Sequence, residues 1–346
     1  MSLQKYLHAT PKAELHVHLE GSIQPATLLA LARRNNIPLP VENEAELRQL
    51  FRYQNFDHFI ELFMLGVSCL KTSEDFEQIV YELGAALARQ NVRYTEVTVT
   101  PSTHYRRAVS FDTYFSGMQR GRARVLADFG IEMNWIFNLV RRWIDPVLIS
   151  PMADYVTSVA IEGKNDGVIA LGLAGAEANA MPEPFAPWFD QARAAGLHSI
   201  PHAGEMAGPE SIWGAIHVLG AERIAHGVRA IEDPALVEYL AQHHIPLDVT
   251  LTSNICLGVY PSYAAHPLPE LYAAGVQVNI STDDPPFFHT TLNEEIEHLA
   301  TDFHMDVVAI DDILLNGFRA SLLPEQRRQK LLQEAVTELT ALKEMR

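Results

Sequence analysis

A chain of 346 residues with 48% hydrophobic and 20% charged side chains holds ample apolar material for a large core, which excludes a disordered or collagen-like polypeptide. Its 26 Lys and Arg against 43 Asp and Glu leave a formal charge of −17; so acidic a surface repels nucleic-acid phosphates and anionic lipid, and neither is expected as a partner. Cys69 and Cys256 are too few for a disulfide framework or a cysteine-rich zinc site, no apolar run reaches the ~18 residues of a membrane span, and the opening MSLQKYLHATPKAEL lacks the apolar core of a signal peptide, so a cytoplasmic protein is expected.

Apolar, β-branched runs alternate with helical patterns along the chain. The first strand is expected at Ala13–Leu19 (AELHVHL) and a helix at Ala26–Asn36, behind Pro25. The phenylalanine-rich stretch Asn55–Leu70 follows, either as an extra helical layer or as an apolar flap over the mouth of the fold. A helix is expected over Glu74–Gln90, capped by Ser73 or by Thr72; in the second case Asp75 completes a capping box, and Glu74, Asp75 and Glu77 favour the positive end of the dipole. Strands at Val92–Val99 and Ile131–Leu139 flank a helix at Phe111–Phe129, and a fourth strand is expected at Gly167–Gly172. Helices at Pro184–Ala195, Pro209–Leu219, Pro234–Gln242 and Pro267–Ala274 each open on a proline, which suits a first helical turn. They alternate with strands at His198–His202, Arg223–His226, Ile245–Thr250 and Val276–Ser281. Pro324–Met345 sets Leu331, Leu332, Ala335, Val336, Leu339 and Leu342 on one stripe, the pattern of a docked amphipathic helix. This alternation predicts an α/β fold, a closed (β/α)₈ barrel in one domain over residues 1–346, with extra helices after the first strand and at the C-terminus; an open doubly wound sheet is the alternative.

Active sites of such barrels lie at the C-terminal ends of the strands. His16 and His18 share one face near the end of the first strand. His202 closes the fifth, with Glu205 three residues on in HAGE, His226 closes the sixth, and Asp283 and Asp284 follow the eighth. Each has a plain structural explanation by itself: a hydrogen-bonded core histidine, or an Asp-Asp turn before proline. Their joint placement at one end of a barrel is what points to a site. Three histidines and a carboxylate, His16, His18, His202 and Asp283, form a nitrogen and oxygen donor set suited to zinc or iron. A metal with an open position lowers the pKa of water toward ~7. Glu205 is then a candidate general acid or base, and His226 and Asp284 remain to orient the water and take its proton.

PKAELHVHLEGS, LGLAGAE, HAGE, RIAHGVR, TSN and STDDPPFF, in that order over nearly the whole chain, resemble the adenosine deaminase family of the amidohydrolase superfamily. The resemblance implies a barrel with one zinc per chain that hydrolyses the 6-amino group of an adenine ring in a small purine nucleoside. By motif, His16, His18, His202 and Asp283 match the zinc ligands, and Glu205 the acid that protonates ring N1. His226 matches the histidine holding the attacking hydroxide, Asp284 the aspartate at N7, and Gly175 the glycine whose N–H faces N3. His18 is also counted among the substrate contacts. The cysteine-rich cytidine deaminase pattern is absent. Glu20 stands where adenosine deaminases often carry an aspartate that contacts the ribose 5′-hydroxyl, which predicts a sugar contact from Glu20. Ala176 replaces the acid of the common LAGDE. VTPSTHYRR (residues 99–107) resembles adenine deaminases and sets Arg106 and Arg107 near the end of the second strand, where they could meet an anion, whereas STDDPPFF with TTL favours the nucleoside branch. Adenosine or 2′-deoxyadenosine is the first expectation. 6-Aminodeoxyfutalosine, with its carboxylate, and free adenine are the alternatives, and a catalytically silent nucleoside-binding member is the alternative of a different class.

Overall fold

The computed structural model describes residues 1–53, 55–141 and 146–345. Among them, eight parallel strands run in the order β1 to β8: β1 (Lys12–His18), β2 (Val92–Val99), β3 (Glu132–Arg141), β4 (Val168–Gly175), β5 (His198–Ala203), β6 (Ile224–His226), β7 (Leu247–Val249) and β8 (Val278–Ile280). β1 and β8 meet through an isolated parallel bridge between Val17 and Asp283. The fold is therefore a (β/α)₈ barrel, as the alternation predicted, and the open sheet is excluded. No described helix is long and apolar enough to cross a membrane.

Local chemistry explains most of the helices. Thr72, not Ser73, caps the helix Ser73–Ala88, and its capping box with Asp75 is complete. Phe111–Phe129 starts at the Ser110 cap and stops at Gly130, whose φ of 70° is cheap only for glycine. The expected Pro184–Ala195 helix divides into a 3₁₀ turn, Glu183–Phe185, and a helix, Ala186–Ala194. Pro146–Glu162 forms a helix where no amphipathic period announced one, since PVLISPMADYVTSVAIE is apolar on most sides. The C-terminal helix, Glu325–Glu344, buries Leu331, Ala335 and Leu339. Leu331 and Ala335 pack against Ala13, Leu15, Tyr94 and Phe318.

The barrel interior is polar in one layer. Arg223, 1% exposed, donates from Nε to Asp248 Oδ2 (2.7 Å), from one Nη to Glu96 and from the other to the Ala320 carbonyl (2.8 Å). Tyr94 Oη donates to Glu96 Oε1 (2.9 Å), and Asn279 Nδ2 to Asp248 Oδ1 (2.6 Å). One cation thus ties β2, β6 and β7 and reaches the segment after the Val307–Arg319 helix. Removing one member of a buried, hydrogen-bonded charge network strands the others, at a cost of about 3–5 kcal/mol. Arg223→Met is expected to lose that much in urea unfolding. Arg124→Ala, at a half-exposed pair with Glu77, is expected to lose no more than ~1 kcal/mol. Equal losses from both would refute the central role of Arg223.

Candidate active site

Strand register brings the site together. His18 lies level with Thr98 of β2, Arg141 with Gly175 of β4, and Ala203 with His226 of β6. At the seam the His18 N–H donates to the Asp283 carbonyl (2.8 Å), and the Asp283 N–H donates to the His16 carbonyl (3.0 Å). The side chains converge on the barrel axis. His16 Nε2 and His18 Nε2 lie 3.5 Å and 3.3 Å from Asp283 Oδ1. His18 Nε2 and His202 Nε2 are 3.2 Å apart. His226 Nε2 is 3.6 Å from Glu205 Oε2, and its ring centroid is 4.8 Å from that of His16.

Burial sets the protonation. Burial, and next His18, holds the His16 imidazole well below its ordinary pKa; burial, and next His16, does the same to His202. His226 is pushed down to about 3, again by burial first. Burial thus favours neutral imidazoles, and for His16 and His202 that is the form that binds metal. Neither ring nitrogen of His16 has a hydrogen-bond partner, although the residue is 1% exposed. A buried polar atom without a partner costs ~1–3 kcal/mol, and a cation at the centre of the cluster would satisfy it. Three overlapping triplets drawn from these histidines, Asp283 and Glu205 each hold their ligand atoms within 4.8 Å of one another. The donor set fits a divalent transition metal.

The carboxyl groups behave differently. Glu205 is raised well above the usual carboxylate range by burial, then by Asp283 and Glu177, which favours its neutral acid form. Asp284 is raised by burial and then by Asp283. Asp283 Oδ2 accepts from Ser253 Oγ (2.7 Å), which fixes that carboxylate.

Above the cluster opens a cavity of about 600 Å³. Its walls include His18, Gly175, His202, Glu205, His226, Asp283 and Asp284 together with Phe59, Phe63, Met64, Val156 and Phe185. The helix Phe56–Ser68 forms one wall of the cavity through Phe56, Phe59, Ile60, Phe63 and Met64. Gly175 has φ +97°, which favours glycine, and a Cβ there would sit 3.2 Å from the Arg141 carbonyl.

A model of the adenosine deaminase family matches residues 11–338. Aminodeoxyfutalosine deaminase of Streptomyces coelicolor is 37% identical over 338 residues, covering 97% of this chain and 86% of that protein. Adenine deaminase of Bordetella avium is 38% identical over 286 residues, covering 83% and 89%. The crystal structure of adenine deaminase from Arthrobacter aurescens superposes with a TM-score of 0.87 at 31% identity, covering 96% of this chain and 99% of that one. The chain belongs to the adenosine deaminase family. It is an aminohydrolase, and its chemistry is deamination of an adenine-type substrate.

Within this family member, the structure gathers His16, His18, Gly175, His202, Glu205, His226, Asp283 and Asp284 around one cavity. Glu20 it places elsewhere. That carboxylate is fully buried, and Oε1 accepts from the Thr100 N–H (3.0 Å) and faces His104 Nε2 (2.9 Å). It is not among the residues lining the cavity. Oε1 thus anchors the loop after β2, while Oε2 is buried without a hydrogen-bond partner. Arg107 is likewise withdrawn, since its guanidinium donates to the carbonyls of Val67, Ser68 (2.9 Å) and Leu70 (2.5 Å) at the end of the Phe56–Ser68 helix. Arg106 is exposed and lines the cavity.

Two residues escaped the sequence reading. Glu177 of LAGAE accepts from the backbone N–H groups of Gly204 (2.6 Å), Glu205 (3.0 Å), Met206 (2.7 Å) and Ala207 (2.9 Å), and from Ser211 Oγ (2.5 Å). It is the clamp that shapes the loop carrying Glu205. Arg141, 1% exposed, donates to the His202 carbonyl (2.5 Å) and stands 3.7 Å from Glu177. A carboxylate kept between two glycine-bearing motifs was the available signal.

Gly21 of LEGS backs Asp284: a Cβ at position 21 would fall 1.6 Å from Asp284 Oδ1. Gly21→Ala must therefore displace the Asp284 carboxyl. A misplacement of about 1 Å at a reacting centre can cost ~10²-fold, so turnover should fall by that order with the melting temperature little changed. Full activity would show that Asp284 tolerates the shift.

Proposed function

We propose that this chain is a zinc-dependent deaminase of 6-aminodeoxyfutalosine, a nucleoside extended beyond its sugar by an aromatic carboxylate. The observation that carries this is the shape and chemistry of the cavity. About 600 Å³ is far more than an adenine ring fills, and ligand pockets commonly enclose most of their ligand. Beyond the polar floor the walls carry Phe56, Phe59, Phe63, Met64, Val156 and Phe185, with Arg106, Asp57 and Glu61 as charged members of the lining. The 37% identical relative named for this activity supports the same reading. Adenosine, the first expectation from motif, has neither an aromatic extension nor a carboxylate to use these features. Free adenine is the second reading, supported by the 38% identical adenine deaminase.

His16, His18, His202 and Asp283 would hold one zinc ion, which supplies Lewis acidity when bound. Glu205, whose burial favours the neutral acid, donates to ring N1. That makes the ring carbon bearing the amino group electrophilic. The Gly175 N–H faces N3, and Asp284 contacts N7 from the opposite edge, so the purine is gripped on both sides. His226 orients the attacking water. The helix Phe56–Ser68 closes the mouth and excludes bulk solvent. Water oxygen replaces the 6-amino nitrogen, and ammonia leaves.

A panel of 6-aminodeoxyfutalosine, adenine and adenosine, compared by kcat/KM, tests the assignment. The extended nucleoside should be preferred at least tenfold, and a larger kcat/KM for adenine or adenosine would overturn the proposal. Arg106→Ala should raise KM for the carboxylate substrate roughly two- to five-fold, the range of an exposed ion pair, and leave adenine unchanged.

Glu205→Gln keeps the shape of the acid but cannot release its proton. General acid catalysis contributes ~10²–10⁴-fold, so kcat should fall by that order while elemental analysis still finds about one zinc per chain, as a single four-ligand site requires. Asp283→Ala should lose the metal as well as the activity. A metal-free preparation that retained full turnover would end the metallohydrolase reading.

A further inference from the structure

We infer that Asn254 and His266 are positioning residues that fix which ring nitrogen of His226 carries its proton. The Leu268 N–H donates to His266 Nδ1 at 3.2 Å. A nitrogen that accepts an N–H carries no hydrogen itself, so neutral His266 bears its proton on Nε2. That Nε2 lies 3.1 Å from Asn254 Oδ1 and donates to it. With Oδ1 so committed, Asn254 turns Nδ2 toward His226 Nδ1, 3.5 Å away. An amide NH₂ can only donate. His226 Nδ1 must therefore offer its lone pair, and the ring proton sits on Nε2.

The reverse assignment of the amide fails on chemical grounds. It would place Nδ2 against His266 Nε2 while the Leu268 N–H still points at Nδ1. Both His266 nitrogens would then be acceptors, which only an imidazolate anion could satisfy. Thr250 Oγ1, 3.0 Å from His226 Nδ1, can donate or accept, and by itself it leaves the tautomer open; Asn254 breaks the tie. Thr250 and Asn254 are 0% exposed and His266 is 4% exposed, which limits water as an alternative partner. The aromatic rings of Tyr260 and Phe303 stand beside His266.

The consequence concerns the direction in which His226 works. Its Nε2–H faces the cavity, on the side of Glu205 Oε2. In that tautomer the ring presents a donor to the oxygen of a bound water and holds it by a lone pair. It does not present a base. This inference rests on the proposed role of His226 in deamination, but the tautomer can be read without any substrate.

The test uses the metal-loaded enzyme with ¹⁵N-labelled histidine. Long-range proton–nitrogen correlation spectra distinguish the two tautomers, and His226→Gln identifies the His226 signals by their loss. The wild type should show a protonated Nε2 and an unprotonated Nδ1 at His226. A protonated Nδ1, or a metal-coordinated Nε2, would overturn the proposal whether or not any variant folds. Asn254→Asp exchanges the donor for a second acceptor and should move the proton to Nδ1. Trapping a catalytic histidine in the wrong tautomer costs ~10⁴-fold in the serine-protease triad, so kcat should fall by at least ~10²-fold, with KM and zinc content little changed. An unchanged tautomer in Asn254→Asp would refute the relay. An inverted tautomer with undiminished kcat would uphold the relay and refute the role proposed for His226.

Discussion

The barrel closes through the residues that form its reactive centre. Between β1 and β8 the joining backbone hydrogen bonds are those between Asp283 and the two histidines His16 and His18. Ser281 Oγ adds to the seam by accepting from the Leu15 and His16 N–H groups, at 3.3 Å and 3.1 Å. Closure and assembly of the cluster are thus one event, because the first and last strands cannot pair here without bringing His16, His18 and Asp283 together. Asp283 takes φ +63° and His226 takes φ +67°. Such left-handed backbone costs of the order of 1–3 kcal/mol per residue and persists only where neighbours over-determine it. For Asp283 the neighbours are the seam bonds and Ser253. For His226 the next residue is Gly227, itself left-handed, whose N–H donates to the Ala203 carbonyl (2.9 Å).

Dry surroundings then sort chemically similar groups into different roles. Glu205 and Glu177 lie on neighbouring loops and are both nearly inaccessible. Glu205 faces His226 and the cavity with few donors, and burial beside other carboxylates favours its neutral acid form. Glu177 faces four backbone N–H groups and a hydroxyl, a concave array that suits an anion. The fixed anion shapes the loop, and the loop presents the acid. The histidines divide in the same way: His16 and His18 meet at Asp283 and His202 meets His18, while His226 is turned by Thr250 and Asn254.

What could be read from sequence followed from how local each signal was. β2 and the helices Phe111–Phe129 and Pro234–Gln242 occur at the expected limits. Strand alternation, the Ser110 and Asp233 caps and the stop at Gly130 are written within a few residues of each element. The clustering of His16, His18 and His202 was legible for a related reason, because strand ends and motif spacing put them on one rim. The misses are contacts made at a distance. Glu20 was read from its motif neighbours alone, and the groups that hold its Oε1 are 80 and 84 residues away. Glu177 serves a loop 27 to 30 residues downstream. Arg141 fell beyond the expected end of β3 because a charged residue reads as the start of a loop, yet its charge is spent on the His202 carbonyl and Glu177. The helix Pro146–Glu162 shows only a narrow polar stripe, Asp154, Ser158 and Glu162, so its periodicity is weak.

The same long-range contacts explain how one reactive floor can serve different substrates. The floor is built from strand ends and locked by closure, so it cannot change without breaking the barrel. The upper cavity is built from the helix Phe56–Ser68 and the loop after β2, and these are tied to each other and to the barrel by separable links. Arg107 holds the end of that helix by its carbonyls, and Glu20 holds the loop through Thr100 and His104. Arg106, between those two anchors, is left free to face the mouth. Charged residues adjacent in sequence therefore divide the work: one is consumed in fixing the wall, and the other is available to a ligand. Substrate choice resides in which side chains the wall needs for itself, and identity to relatives at the floor says little about it.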